Sequence, residues 1–79
     1  MGNATVYFER MGDTVRIRDT QWHDIDWVLN ERSLLESISA LERNQSQYAI
    51  PAAYERDMAI REIALAFLRS GNQSLTRAL

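Results

Sequence analysis

The chain has 79 residues, no cysteine, a net charge of −2 and nine basic residues, all of them arginine. Without cysteine it has neither a disulfide staple nor a thiolate metal site, and its acidic balance gives no general attraction to nucleic acid. Its apolar runs are far too short to span a bilayer.

A chain of this length is expected to form one domain, 1–79, that buries only about 60–65% of its unfolded surface. So small a core favours self-association as a source of further burial. The opening "MGNATVYFER" lacks the basic segment and apolar stretch of a signal peptide, so a cytoplasmic protein is expected. Arginine without lysine suits a contact surface, because the planar guanidinium binds carboxylates bidentately and stacks on aromatic rings.

The first element is an antiparallel hairpin over about residues 5–18. Val6 and Phe8 alternate with Tyr7 and Glu9, and Val15 and Ile17 alternate with Arg16 and Arg18. Gly12-Asp13 fits a type II′ turn, where glycine accepts the positive φ of the first central position. That turn pairs Met11 with Thr14, Arg10 with Val15, Glu9 with Arg16, Phe8 with Ile17 and Tyr7 with Arg18. Phe8 and Ile17 then meet on the inner face, while Glu9–Arg16 and Tyr7–Arg18 meet outside.

A helix is expected next, over about 20–43, capped by Asp19 or Thr20 and favoured at its start by Asp24 and Asp26. Trp22, Ile25 and Leu29 form its first stripe. Trp27, Leu34, Ile38 and Leu41 form a second stripe on nearly the opposite side. Such a change of face fits either one continuous helix or a break near 30–33, where Ser33 to Glu36 reads as a capping box. "NQSQY", Asn44 to Tyr48, is a loop. Pro51 and Gly71 bracket the clearest helix, about 51–70. Residues 72–79 are a short tail or an extra helical turn, with Leu75 and Leu79 spaced i, i+4. The fold class is therefore α+β, an N-terminal hairpin packed on two or three helices.

Candidate chemistry is sparse. On a helix, Asp19, His23 and Asp26 would share a face with metal-ligand spacing, but first-turn aspartates are equally what helix capping uses. No metal or cofactor is expected. With no cysteine or lysine, no glycine-rich phosphate loop, and Ser33, Ser37 and Ser39 lacking a base at defined spacing, catalysis is not expected either.

The apolar seam of Trp27, Leu34, Ile38 and Leu41, with Tyr54, Met58 and Leu65 on the last helix, is too wide for one hairpin to cover. It is the expected protein interface of a homodimer. The function that follows is a non-enzymatic regulatory protein acting by protein–protein contact. By association with other compact, cysteine-free, acidic proteins, an inhibitor or adaptor of the phage or plasmid type is expected.

"TVRIRDTQWHDIDWVLNERSLLESISAL" supports an alternative, because from about residue 14 to 42 it resembles a ribbon-helix-helix segment. The resemblance implies a dimeric DNA-binding repressor or antitoxin. In such a protein, paired strands enter the major groove with Thr14, Arg16 and Arg18 directed at bases. Ser33 would start a second helix whose N-terminus anchors phosphate.

Overall fold

The computed structural model describes residues 5–20 and 25–79. Two alternating runs form the expected hairpin, β1 (Thr5–Met11) and β2 (Thr14–Asp19). Its register holds at every anticipated pair, from Met11 opposite Thr14 to Tyr7 opposite Arg18. Gly12 has φ +66°, as the turn requires, and the described residues include no non-glycine residue at positive φ.

The segment read as the start of a long helix is instead a third strand, β3 (Asp26–Asn30), antiparallel to β2. Ile17 lies opposite Trp27 and Val15 opposite Leu29, so the inward residues alternate, with Asp26, Val28 and Asn30 outward. The helix expected over 20–43, whether continuous or broken near 30–33, is replaced in its described part by β3 followed directly by α1 (Glu31–Arg43). Its cap is Asn30, whose Oδ1 accepts from the Ser33 backbone N–H at 2.8 Å, in place of a box starting at Ser33. In place of the expected capping, Asp19 ends β2 paired with Arg56, and Thr20 Oγ1 accepts from the Thr5 backbone N–H at 3.0 Å; Trp22 and Asp24 lie outside the described residues.

A short 3-10 turn, Gln45–Gln47, leads to α2 (Pro51–Ser70), which has the bounds that Pro51 and Gly71 suggest. Gly71 ends it at φ +82°, a left-handed conformation open to glycine at little cost. The expected tail or helical turn is a fourth strand, β4 (Ser74–Ala78), antiparallel to β1. The sheet order is β3-β2-β1-β4, and the fold is α+β with the hairpin packed on the helices.

Both helices pack on one face of the sheet. Val6, Phe8, Val15 and Ile17 meet Leu34 of α1 and Ile60, Ala64 and Phe67 of α2 in a buried cluster. The rings of Phe8 and Phe67 lie 6.3 Å apart at a tilt of 38°. Two arginines join α2 to the inner face of the sheet. Arg10 donates to the Phe67 and Leu68 carbonyls at 3.0 and 2.8 Å and to the Asn72 carbonyl at 2.8 Å. A cation thus sits at the negative end of the α2 dipole. Arg56 pairs with Asp19, whose side chain is fully enclosed at the inner end of β2.

Candidate functional site

With both helices on one side, no described helix or strand covers the opposite face of the sheet. Side chains alternate across a strand, so each inward core residue fixes an outward neighbour. The outward rows are set by the registers. Val28, Arg16, Glu9 and Ser74 lie across the sheet in one row, and Asp26, Arg18, Tyr7 and Thr76 in the next. Apolar surface is present among these charges: Tyr7 is 41% exposed, Met11 47% and Val28 53%.

The charges balance on the face itself. Arg16 donates to both carboxylate oxygens of Asp26, from Nε at 2.9 Å and from Nη2 at 2.8 Å. The hydrogen-bonded guanidinium holds Asp26 below the usual carboxylate range, against a smaller opposing effect of desolvation. Arg18 lies over the Tyr7 ring, 5.9 Å from its centroid, and Glu9 stands opposite Arg16. Among the described residues of these rows, two cations and two anions therefore share the surface.

The Arg16–Asp26 pair has a pH signature. Because the folded-state pKa of Asp26 is depressed, its contribution to stability is present above the unfolded value of about 3.9 and fades as pH falls through the folded one. A carboxyl-carbon NMR titration should give Asp26 a midpoint below that of an unperturbed aspartate, and Arg16→Ala should return it toward normal. A normal midpoint in the unmodified protein would show that the bidentate pair does not persist in solution.

The helix-side candidates occupy different surroundings from those expected. Leu34 and Leu41 are buried inside the chain, so they offer no partner surface. Trp27 points inward from β3, packs against the core, and lies under Arg61, whose guanidinium carbon is 4.9 Å from the ring centroid. Leu65 also packs partly against the core, Tyr54 stacks edge-on against Tyr48, and Ile38 and Met58 are half-buried. The supposed dimer seam is largely the packing of α1 and α2 on the sheet, since the extra strands supply the area that one hairpin could not.

An open cleft of about 400 Å³ between the helices is lined in part by Ser37, Tyr48 and Arg61. The polar groups of these three residues bond to one another or to Asp57. Arg61 donates to Ser37 Oγ at 2.6 Å and to the Asp57 carbonyl at 2.8 Å, and the Tyr48 hydroxyl donates to Asp57 at 2.8 Å. That last bond raises the Tyr48 pKa by stabilising the protonated phenol.

The aspartates of the suggested metal set do not share a face. Asp19 points inward to Arg56, and Asp26 points outward to Arg16. His23 lies outside the described residues. Among the described residues, no group of three His, Asp or Glu side chains is placed to hold a metal ion, and no helix is long and apolar enough to cross a membrane.

The ribbon-helix-helix resemblance does not extend to the fold. β2, which carries Thr14, Arg16 and Arg18, is an internal strand with β1 and β3 on its two edges, so it cannot pair with the same strand of a second chain. Ser33 lies in the first turn of α1, with its backbone N–H already bonded to Asn30. No family model, curated protein or solved structure matches this chain.

Proposed function

We propose that this is a non-enzymatic, cytoplasmic regulatory module, an inhibitor or adaptor, that works by protein–protein contact through the open face of its sheet. The observation that carries the reading is the exposure of Tyr7, Met11 and Val28 on a face where Arg16 is held by Asp26 and Arg18 lies over Tyr7. Apolar and aromatic anchors within a balanced polar surround suit a protein interface. A nucleic-acid surface would instead carry a net excess of cations free to neutralise phosphate. Here Arg16 is held by Asp26 and stands beside Glu9.

The test is recovery of bound macromolecules from native extract, with and without nuclease, using the unmodified chain and a Tyr7→Ser/Val28→Glu variant. The expected result is a protein retained after nuclease and lost with the variant. Recovery of nucleic acid alone, or protein capture indifferent to the two substitutions, would overturn the reading.

A further inference from the structure

We propose that the open sheet face binds a second copy of this chain, giving a two-fold dimer with the sheets face to face and the helices outside. The inference rests on the reading of that face as a protein-contact surface and names its occupant.

The evidence is a charge pattern that complements itself. The sheet order β3-β2-β1-β4 puts its midline between β2 and β1. Outward cations lie on β2, as Arg16 and Arg18, and Glu9 with the Tyr7 ring lies on β1 in the same rows. Consider a half-turn about an axis lying in the face, parallel to the strands and midway between β1 and β2. It lays β1 of each copy over β2 of the other with the rows aligned.

Glu9 then meets Arg16 of the second copy, Tyr7 meets Arg18, and Met11 meets Thr14. On the flanks, Val28 meets Ser74 and Asp26 meets Thr76, so among the described residues no like charges face one another. A two-fold contact must be self-complementary, and few charged patches are. An axis along β2 would set Arg16 against Arg16, and one along β1 would set Glu9 against Glu9.

The area decides how tight such a dimer is. Strands about 4.8 Å apart, rising about 3.4 Å per residue, make a four-strand face roughly 19 by 20 Å. The two faces together then cover roughly 800 Å², below the standard size of a specific interface and within the range of weak, transient contacts. With charged pairs contributing more to register than to affinity, the dimer is reversible and concentration-dependent.

Sedimentation equilibrium on the purified full chain tests the proposal. The unmodified protein should dimerise at high micromolar concentration, and rising salt should weaken it as the face charges are screened. Glu9→Arg and Arg16→Glu should each raise the dissociation constant by about tenfold or more, because each sets like charges together twice. An equimolar mixture of the two variants should recover a heterodimer, since every contact is then between opposite charges. Thermal melts of each variant establish that the fold is kept.

A monomer throughout, or a dimer indifferent to both substitutions, as pairing through a sheet edge would be, overturns the proposal. So does a dimer that requires nucleic acid. If the chain is monomeric while Tyr7→Ser/Val28→Glu still abolishes capture of another protein, self-pairing fails and the interaction reading stands.

Discussion

Replacing Arg56 with methionine should destabilise the protein by up to about 3–5 kcal/mol, the cost of removing one partner of a buried ion pair. Asp19 ends β2 facing inward, with a fully enclosed side chain, whereas the Arg56 side chain retains 20% exposure. The asymmetry matters, because Arg56 can reach solvent on its long stem, whereas the enclosed Asp19 carboxylate cannot replace its cation with water. Methionine preserves most of the apolar stem, so the loss measures the charge and its bonds more than the packing. Against a typical total of about 5–15 kcal/mol, much of the folded population is at stake. Urea denaturation gives the number, and Asp19→Leu combined with Arg56→Met should recover part of it. A single-mutant cost below about 1 kcal/mol would mean that the pair behaves as an exposed one.

The second large effect is expected at Phe67. Its ring packs on Phe8 at the centre of the cluster, with the guanidinium carbon of Arg10 5.4 Å from its centroid. Phe67→Ala should cost about 3–5 kcal/mol from lost burial and the cavity left behind. Phe67→Leu should cost distinctly less, since it keeps most of the volume. Equal losses in the two variants, measured by urea denaturation, would point to Arg10 stacking as the main contribution in place of core filling.

The hairpin and α2 were legible because each carries its own punctuation. Gly12 sets the turn and therefore the register, and Pro51 with Gly71 sets the bounds of the helix. β3 was hidden by a coincidence of spacing. Ile25 and Leu29 lie four apart, a distance that keeps two residues on one face of a helix and equally on one face of a strand. Trp22 completed a helical stripe, while the alternation of Ile25, Trp27 and Leu29 describes what forms. Leu75 and Leu79 carry the same ambiguity, so β4 read as a helical turn.

The open face was half visible. The outward placement of Tyr7, Glu9, Arg16 and Arg18 follows from the hairpin register alone, but Asp26 and Val28 join that face only once β3 is a strand. The partnerships of Arg10 with the end of α2, and of Arg56 with Asp19, link residues 57 and 37 positions apart and have no local signal.

The attachment of β4 bears on the order in which the molecule assembles. β1, β2 and β3 form a meander of neighbouring segments, whereas β4 must find β1 across most of the chain. Closing so long a loop costs entropy before any ladder bond compensates for it, so the fourth strand belongs late on the folding path. Arg10 shortens that search. Its side chain holds the final carbonyls of α2 and Asn72, and its backbone N–H bonds the Gln73 carbonyl at 2.9 Å, immediately before the strand begins. Docking of the helix therefore delivers β4 to its register. In native-state hydrogen exchange the amides of β4 should open together with the last turns of α2, as one cooperative unit distinct from the meander.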